Sequence, residues 1–335
     1  MSNQVQPDNR TRLLVSIVNY RVPNLTIDCL HSLVSEVQAL PGTKVVVVDN
    51  NSGDDSVKQI SAAIKKNGWE DWASLIQSKQ NGGYSFGNNL AIRPTLRFTH
   101  PPSYFMILNP DTQVRTNAFK ALLDFMEQHL DVGIAGCSFE TVDGEPKKLA
   151  FRFPSVLSEL DSSLRLGIVT KLLSNWVVPR TMGDEACQVD WVPGTAMLVR
   201  RQVFESVGLM DEEYFLFYEE TDLCLRAKRA GWSCWYVPQS RIMNIGGQSR
   251  KKDNSSHSKR RPQYWFESRR RYFLNNHGLL YAVLADAAWI LGFVLLKWRW
   301  GIQNKSDTDP PKLFNDFLRN SVFFKGGVLR PIKTK

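Results

Sequence analysis

The stretch KVVVVDNNS, residues 44–52, decides the expected fold, because four consecutive valines end abruptly in four polar residues. An uninterrupted β-branched run closed by Asp, Asn and Ser is typical of a strand buried on both faces of a parallel sheet. Residues 12–18 (RLLVSIV) and 104–108 (YFMIL) have the same character, and residues 23–39 carry apolar side chains at helical spacing. The alternation predicts an α/β protein with a mostly parallel sheet flanked by helices.

This alternation of strands and helices continues to about residue 111 and then breaks. The further predicted elements are a helix at 54–66, a strand at 74–77, a helix at 88–98, a strand at 132–139, a hairpin around 143–144, a strand at 189–199, a helix at 219–230 and a strand at 233–237. Residues 154–184 show no pattern that assigns them to an element. The second half therefore departs from a simple repeat of strand and helix.

The composition of the 335 residues is that of a globular protein, with 43% hydrophobic and 22% charged residues. The five cysteines are odd in number and never spaced C-x-x-C, and the five histidines form no H-x-x-H pair. We therefore expect neither a disulfide scaffold nor a zinc site. The polar first twelve residues lack the apolar run of a signal peptide, so we expect the body to stay in the cytoplasm.

The net charge of +9 is concentrated at the C-terminal end of the chain. Residues 250–335 contain 18 Lys/Arg and 6 Asp/Glu, a net of +12, which leaves −3 for residues 1–249. A near-neutral body with a basic, aromatic-rich tail fits an anionic membrane surface at least as well as a polynucleotide. Because the tail has no recognition helix or aromatic RNA-binding pattern, we expect no nucleic-acid partner. We divide the chain into a body, 1–250, and a basic helical C-terminal region, 251–335.

An apolar segment at 278–296 (GLLYAVLADAAWILGFVLL) contains a single charge, Asp286, and is followed by Trp298 and Trp300 among cationic residues. Its length is near the minimum for a spanning helix, but a carboxylate at the centre of a bilayer costs about 3 kcal/mol on insertion scales. A helix that lies in the membrane interface accommodates the same residues at lower cost. Three alternatives stay open: a membrane-surface helix, which we favour, a buried core or oligomer helix, and a true span.

Polar residues follow the predicted strands at the sheet edge where open α/β proteins bind ligands. The first strand is followed by Asn19 and Tyr20, and the second by Asp49 and Asn51. Asp49 is either a cap of the next helix or the acceptor of the imide N–H of uracil or thymine. We treat these residues as candidate nucleotide ligands.

Residues 81–89 (NGGYSFGNN) combine three glycines with three asparagines. We expect a loop that opens a helix and whose backbone N–H groups can approach a pyrophosphate, although a plain turn is the alternative. The stretch is neither a Walker loop nor the G-x-G-x-x-G fingerprint after the first strand. The candidate nucleotide-binding residues here are Asn81, Gly82, Gly83, Asn88 and Asn89.

The tripeptide Asn109-Pro110-Asp111 follows the strand at 104–108 directly. Its two oxygen-bearing side chains flank a proline of fixed φ, so both can face one cation at the sheet edge, although Asn-Pro-Asp is also a common turn. A diphosphate leaving group needs such a cation to neutralise the charge that develops on it. We expect Asn109 and Asp111 to bind Mg²⁺ or Mn²⁺.

Three carboxylates, Glu219, Glu220 and Asp222, lie within four residues at a predicted helix start. Acidic residues at a helix N-terminus stabilise the helix dipole, which is the structural interpretation. Mutual repulsion and the neighbouring aromatic residues would also raise the pKa of at least one of them, as a general base for a hydroxyl requires. Glu220 is the candidate base, Glu219 the reserve, and Asp222 a positioning carboxylate on the sugar and acceptor side.

In order along the chain, these stretches resemble the inverting family 2 glycosyltransferases with a GT-A fold, most closely the bacterial rhamnosyltransferase-like branch. The matching blocks are SIVNY (16–20), VVVVDNNS (45–52), NGGYSFGNN (81–89), LNPD (108–111), DWVPGTAMLVRR (190–201) and FLFYEETDLCLRAKRAGW (215–232). The resemblance covers about residues 12–250.

The resemblance implies that Asp49 contacts the donor base, that Asn109 and Asp111 occupy the D-x-D metal motif, and that Glu220 is the base. It also implies that Asp190, Trp191 and Gly194 line the sugar pocket or the acceptor entrance. Two positions depart from the family pattern, because Asn109 replaces an aspartate and Asn244 stands where a metal-binding histidine is frequent.

The expected reaction is a single in-line displacement with inversion, from a nucleotide-diphosphate sugar to an acceptor hydroxyl, in cell-surface polysaccharide biosynthesis. The resemblance favours dTDP-rhamnose as donor, with UDP-hexoses next. The basic tail favours a polyprenyl-diphosphate-linked saccharide acceptor and a position on the cytoplasmic face of the membrane, and an oligomer is possible. The alternative function is a catalytically silent nucleotide-sugar-binding scaffold of the same fold.

Overall fold

The computed structural model describes residues 11–245, 260–327 and 329. The elements of the body are β1 (Leu13–Asn19), α1 (Pro23–Ala39), β2 (Thr43–Asp49), α2 (Ser56–Lys66), β3 (Ala73–Gln77), α3 (Gly83–Thr95), β4 (Tyr104–Leu108), β5 (Thr112–Val114), α4 (Ala118–Gln128), β6 (Val132–Glu140), β7 (Pro146–Lys147), β8 (Leu149–Phe151), α5 (Val156–Leu164), α6 (Gly167–Leu172), β9 (Pro179–Thr181), β10 (Cys187–Val189), β11 (Ala196–Arg200), α7 (Arg201–Val207), α8 (Glu219–Arg229) and β12 (Ser233–Asn244). The C-terminal region forms α9 (Gln263–Ile302), α10 (Leu313–Asn320) and α11 (Val322–Lys325).

One sheet forms the centre of the body, with the strand order β10-β12-β6-β11-β4-β1-β2-β3. The pairs β1–β2, β1–β4, β2–β3 and β6–β12 are parallel, whereas β11 is antiparallel to both β4 and β6, and β10 to β12. Short strands β5 and β7 pair with β12 and β6. Most strands therefore run in one direction, and their carboxyl ends meet at one edge, as the sequence predicts.

Alternate residues of the central strands bury opposite faces of the sheet. On one face Val15, Val47 and Leu108 pack with side chains of α1, α2 and α4. On the other, Phe105 and Val199 pack with side chains of α3, α7 and α8. Both faces are covered by helices, which explains why β1, β4 and β11 read as continuous apolar runs rather than as alternating ones.

Most predicted elements are confirmed, but the start of one helix and the extent of one strand were wrong, and several elements were not predicted. Helix α3 begins at Gly83 rather than at 88, so most of the Gly/Asn-rich stretch is helical rather than loop. The single strand expected at 189–199 is two strands, because a loop at 190–195 that contains Pro193 and Gly194 separates β10 from β11. Residues 154–184, for which no element was assigned, contain α5, α6 and β9, and α4 and α7 were not predicted.

The C-terminal region packs on the body through its longest helix. Helix α9 is bent at Gly278, which has φ 82° and ψ 174° and so interrupts the helical backbone. The first part of α9 packs through Tyr272 and Phe273 against Tyr214 and Leu225 of the body. The second part crosses α5 closely at Gly292, where a Cβ would lie 2.2 Å from Ser163 Oγ. The boundary expected at 250/251 lies outside the described residues.

The central charge of the apolar segment is buried inside the protein. Asp286 is 1% exposed and accepts hydrogen bonds from Arg269 Nη1 at 2.5 Å and from the Val322 N–H at 2.7 Å. The same guanidinium donates to Glu159 Oε2 of α5 at 3.0 and 2.8 Å. The carboxylate that looked costly in a bilayer is therefore one member of a buried ion-pair cluster, Glu159–Arg269–Asp286, that joins α5 to both parts of α9.

The opposite side of the same helix exposes apolar side chains. Among the described residues, α9 is the one helix long and apolar enough to cross a membrane, and 39% of its most apolar window is buried in the protein. The exposed apolar residues of α9 are Leu279, Leu280, Leu284, Leu291, Val294, Leu295, Trp298 and Ile302. Their spacing places most of them along one outward face, while the inward face packs on α5 and α10.

Candidate active site

The ends of β1 and β2 are joined by a buried hydrogen-bond network. Asn19 Nδ2 donates to Asp49 Oδ1 at 2.7 Å, and Ser52 donates to the same carboxylate through Oγ (2.5 Å) and through its backbone N–H (3.1 Å). Asn19 is fully buried and Asp49 is 1% exposed. Asp49 therefore holds the loop after β2 in this structure, but it is not the cap of the next helix, which begins at Ser56 after Asp55.

The loop after β2 also connects to the start of α3. Asn50 Nδ2 donates to Asn81 Oδ1 at 2.9 Å and to the Gly83 carbonyl at 3.0 Å, and the Asn81 side chain in turn accepts the Gly83 N–H at 3.1 Å. Tyr20 and Asn51 are exposed beside this junction. The candidate nucleotide ligands Tyr20, Asn51, Asn81 and Gly83 thus border one stretch of the sheet edge.

Helix α3 begins with a close backbone approach that only glycine permits. Gly83 has φ +89°, and a Cβ there would lie 2.2 Å from the Phe215 carbonyl oxygen. At the neighbouring Gly82 a Cβ would meet the Phe86 ring at 2.3 Å. The Tyr84 N–H donates to the same Phe215 carbonyl at 2.8 Å, so the segment before α8 rests directly on the start of α3.

Replacing Gly83 by alanine tests how much the close contact between Gly83 and the Phe215 carbonyl contributes to stability. We expect Gly83→Ala to lower the free energy of unfolding by about 2 kcal/mol or more, because left-handed strain and a backbone clash add together. Gly144→Ala is the matched control, since Gly144 has φ +81° but nothing within 4 Å of a built Cβ. Urea denaturation measures both, and equal losses would show that the contact with Phe215 contributes nothing.

Asn88 and Asn89, like Asn19 and Asp49, lie inside the protein. Asn88 is fully buried, accepts from Ser16 Oγ at 2.8 Å and donates to the Tyr84 carbonyl at 3.0 Å. Asn89 is fully buried and donates to the Met210 carbonyl and to Glu212. Both side chains hold α3 against the body and offer no surface to a ligand, because the helix starts five residues earlier than expected. We exclude them from the proposed nucleotide contacts.

Tyr84, which the sequence analysis did not single out, links the start of α3 to the loop between β10 and β11. Its hydroxyl donates to the Gly194 carbonyl at 2.7 Å. Burial raises the pKa of Tyr84 well above its usual range, and the charges of Glu219, Glu220 and Asp111 raise it further. The negative charges of both candidate bases and of the candidate metal ligand therefore all act on this hydroxyl, at the centre of the quoted NGGYSFGNN block.

Helix α8 presents the acidic residues from a strained turn. Phe217 and Tyr218, which precede it, have φ of 73° and 68°, a conformation uncommon for bulky residues. Glu219 and Glu220 are the first two residues of the helix, and each has a buried Oε2 without a hydrogen-bond partner among the described residues. Strain and unpaired buried oxygens at one place are typical of a functional site.

The two glutamates differ in what stabilises their charge. Burial raises the pKa of Glu219 well above its usual range, and the Glu220 charge raises it further. Burial also raises the pKa of Glu220, but backbone N–H groups, including those of Gly194 and Thr221, favour its ionised form. Glu220 therefore ionises more readily and can act as the base of the pair while Glu219 keeps its proton.

The loop between β10 and β11 faces the same glutamates. A Cβ on Gly194 would lie 3.6 Å from Glu220 Cβ. Trp191 stacks on Phe151 at 4.2 Å between ring centroids and donates to the Arg152 carbonyl at 2.8 Å. Asp190 is bonded on both oxygens, to Lys228 Nζ at 2.8 Å and to the Phe153 N–H at 3.1 Å, so it supports the loop.

Asp222 joins α8 to its neighbours rather than to the open site. It is 3% exposed and accepts from Arg226 at 2.7 Å, from Asn276 at 2.8 Å and from Tyr214 at 3.4 Å. Asn276 belongs to the C-terminal region, so Asp222 connects the helix of the candidate base to α9. Its role as a positioning carboxylate fits these contacts, whereas direct contact with sugar does not.

The candidate metal ligands are oxygen donors at the end of β4 and the end of β12. Asn109 and Asp111 are partly exposed, and Asn244 is in register with Thr112, the residue after Asp111. Among the described residues no group of three His, Cys, Asp or Glu side chains forms a complete protein-only site. One carboxylate with amide oxygens beside it fits a hard cation that takes its other ligands from substrate phosphates and water.

A cavity of about 340 Å³ opens beside the candidate base. On the body side it is lined by Trp191, Tyr218 and Glu220, and on the side of the C-terminal region by Arg261 and Trp265. Its volume is in the range of small-molecule sites. Sequence reasoning missed the residues of the second wall, although the aromatic residues beside the basic cluster at 260–261 could have indicated them.

The family model described as "glycosyltransferase like family 2" matches residues 10–271 of the chain. The chain belongs to this family. The match includes the strand ends, the Gly/Asn-rich start of α3, the acidic start of α8 and the first turns of α9, so the resemblance stated from the residues is confirmed.

Among relatives of this family 2 chain are an N-acetylglucosaminyl-diphospho-decaprenol L-rhamnosyltransferase of Mycobacterium tuberculosis, 30% identical over 46% of this chain and 50% of that protein, and the rhamnosyltransferase WbbL of Escherichia coli, 32% identical over 47% and 59%. The low-salt glycan biosynthesis hexosyltransferase Agl10 of Haloferax volcanii is 29% identical over 68% and 64%. The alignments thus span about half to two thirds of the relatives' lengths.

Solved structures share the fold of this family 2 chain at low identity. A mannosyltransferase from Pyrobaculum calidifontis in complex with GDP-Man and Mn²⁺ is 13% identical over 96% of this chain and 85% of that chain, with a TM-score of 0.53. TarS 1–349 of S. aureus in complex with UDP is 14% identical over 92% and 80%, with a TM-score of 0.53. The expected GT-A architecture is confirmed.

Proposed function

We propose that the chain is an inverting glycosyltransferase that moves a sugar from a nucleotide diphosphate to a hydroxyl of a saccharide acceptor. One observation carries the proposal: Glu220, a half-buried glutamate whose buried Oε2 has no hydrogen-bond partner among the described residues, lines a cavity of about 340 Å³ in a family 2 chain. The charges of Glu219, Glu220 and Asp111 all raise the pKa of Tyr84, which supports assigning the base and metal candidates to one site.

The residues perform one displacement. Glu220 accepts the proton of the acceptor hydroxyl, the oxygen forms a bond to the anomeric carbon from the opposite face, and the bond to the diphosphate breaks with its electron pair leaving on the diphosphate. Burial keeps bulk water away from Glu220, and the Gly194 N–H orients its carboxylate. Glu219, with its higher pKa, stays protonated and avoids a second negative charge beside the base.

The donor lies along the edge formed by Tyr20, Asn51, Asn81, Gly82 and Gly83. Gly83 brings backbone close to the site, and the amides of Asn51 and Asn81 suit a base or ribose. Asp111, with Asn109 and Asn244 nearby, would hold Mg²⁺ or Mn²⁺, which supplies charge neutralisation of the leaving diphosphate when bound. The names of the rhamnosyltransferase relatives favour dTDP-rhamnose as donor, with UDP-hexoses second.

The acceptor is a saccharide linked to polyprenyl diphosphate, and the reaction belongs to cell-surface polysaccharide synthesis on the cytoplasmic face of the membrane. Two features support this: the name of the mycobacterial relative, and the exposed apolar face of α9 with Trp298 beside Lys297 and Arg299. An amphipathic helix with cationic and aromatic flanks binds an anionic bilayer surface. Contact of this face of α9 with a bilayer surface leaves the Glu159–Arg269–Asp286 cluster buried inside the protein.

A panel of nucleotide sugars in a thermal-shift measurement with Mn²⁺ tests the donor site. A true donor at 100 times its Kd stabilises the folded state by about 2.7 kcal/mol, so one nucleotide sugar should raise the Tm clearly above the others. Asp111→Ala should remove the Mn²⁺-dependent part of the shift. Release of nucleoside diphosphate on adding acceptor then distinguishes an active enzyme from a catalytically silent nucleotide-sugar-binding scaffold. The neutral side chains of Asn109 and Asn244 are the feature that favours the scaffold.

A further inference from the structure

Arg261 differs from its neighbours Arg260 and Arg269 in what its guanidinium contacts. Arg260 forms two hydrogen bonds of 2.6 Å with Asp316, and Arg269 is held by Glu159 and Asp286. Arg261 forms no ion pair with a carboxylate in the described part of the chain, and its guanidinium lies over the Trp265 ring at 4.2 Å. A half-buried guanidinium without a carboxylate has its planar donors available to an anion.

A second cation faces the same space. Arg165 at the end of α5 lines the cavity of Glu220 together with Arg261, and its charge, after burial, contributes to lowering the pKa of Arg261. Arg165 is bonded to Asp309 at 2.7 Å, which fixes its position. Two guanidinium groups therefore line the same cavity as the candidate base Glu220, together with Glu159, which is paired with Arg269.

Arg261 also borders a second cavity, of about 510 Å³, on the outer side of the C-terminal helices. This cavity is lined by Arg260, Arg319 and Lys325, with Asp316 as its one acidic residue. Because Arg261 lines both cavities, they adjoin at its side chain. Directly before Lys325 come Phe323 and Phe324, which are 53% and 70% exposed.

Along this surface, the candidate base Glu220 is therefore followed by the aromatic side chains of the cavity walls, then by a cluster of cations, and then by exposed apolar side chains. A saccharide joined through phosphate to a lipid has the same order, from hydroxyl to sugar, phosphate and hydrocarbon. We propose that Arg261, flanked by Arg165, Arg319 and Lys325, binds the phosphate groups of the acceptor, so that its sugar reaches Glu220 between Trp191 and Trp265. This inference rests on the proposed function and deepens it, because it assigns recognition of the acceptor to the C-terminal region.

Binding of farnesyl diphosphate without donor or divalent cation tests the assignment, with inorganic pyrophosphate and vesicles of phosphatidylglycerol as the other arms. Titration calorimetry should show Arg261→Gln binding farnesyl diphosphate about tenfold or more weakly than the wild type, as the loss of charge-assisted hydrogen bonds implies. Arg97→Gln is the matched control, since Arg97 is exposed beyond the far end of α3 and should leave the affinity unchanged. Arg319→Gln, at an exposed side chain, should weaken binding several-fold and covers the case in which Arg261→Gln does not fold.

Three outcomes would overturn the proposal. The first is an unchanged affinity for farnesyl diphosphate in both variants. The second is tighter binding of inorganic pyrophosphate than of farnesyl diphosphate. The third is that the variants lose only their binding to phosphatidylglycerol vesicles, which would assign the cations to a lipid headgroup. None of these measurements needs transfer, so they are independent of the donor and the base. Conversely, transfer that survives Glu220→Gln would refute the proposed mechanism and leave the anion site standing.

Discussion

Glu220→Gln is expected to lower kcat by about 10²- to 10⁴-fold, the usual contribution of a general base, while nucleotide binding stays within about twofold of the wild type. The amide keeps the size of the side chain and cannot accept the hydroxyl proton. Steady-state release of nucleoside diphosphate measures the first effect, and a thermal shift with the nucleotide alone measures the second.

The pH profile provides a further check on the same residue. The base must be ionised, and burial raises the pKa of Glu220. Activity should therefore fall as the pH is lowered through that raised pKa, at a higher pH than an exposed glutamate would give. Glu219→Gln is the companion variant: because Glu219 stays protonated beside the base, it should retain much more activity than Glu220→Gln. Full activity in Glu220→Gln would refute the assignment of Glu220 as the base. A larger loss of activity in Glu219→Gln would transfer that role to Glu219.

Arg269→Met is expected to produce the largest loss of stability, about 3–5 kcal/mol, because it leaves Glu159 and Asp286 buried without their shared cation. Burial already raises the pKa of Glu159, and removal of Arg269, whose charge lowers it, would raise it further. A carboxyl group whose pKa is raised in the folded state stabilises the fold at low pH, and this contribution is lost as the pH rises through the raised pKa, so the variant should regain stability as the pH is lowered from neutrality.

Urea denaturation at several pH values tests this expectation. Lys120→Met is the control, because Lys120 and Asp124 form an exposed pair one helical turn apart on α4, with about half of each side chain in solvent. Such a pair contributes at most about 1 kcal/mol. A loss of similar size in the two variants would show that the cluster does not hold the C-terminal region to the body.

Local sequence patterns predicted the helices and strands of the body correctly where the apolar periodicity was long and regular. Residues 23–39 and 104–108 form α1 and β4 with the predicted bounds, since long apolar periodicity is little affected by tertiary context. The polar residues after β1, β2 and β4 were correctly placed at one edge because parallel strands share a direction. The start of α3 was missed, since glycine and asparagine disfavour helix locally and are held there by contacts with Phe215 and Ser16.

The site depends on contacts that no local pattern contains. Asp286 reads as a charge without a partner, because Arg269 comes seventeen residues earlier and meets it only through the bend at Gly278. The loop at 190–195 was read as strand, although Pro193 and Gly194 indicated a break. Tyr84 stood within a quoted block, but its hydrogen bond to the Gly194 carbonyl forms only when α3 packs beside the loop between β10 and β11.

The cavity beside Glu220 has one wall from the body and one from α9 and α10, so the two walls can diverge separately in evolution and can be exchanged separately by engineering. Under the proposed function, the residues for donor recognition and bond chemistry lie in the first three quarters of the chain, whereas the opposing wall of the cavity lies in the last quarter. The two specificities can then change independently. A chimera that receives the stretch 260–327 from a homologue should keep its own activated sugar and adopt the homologue's choice of co-substrate, provided that the graft retains the partner of Glu159.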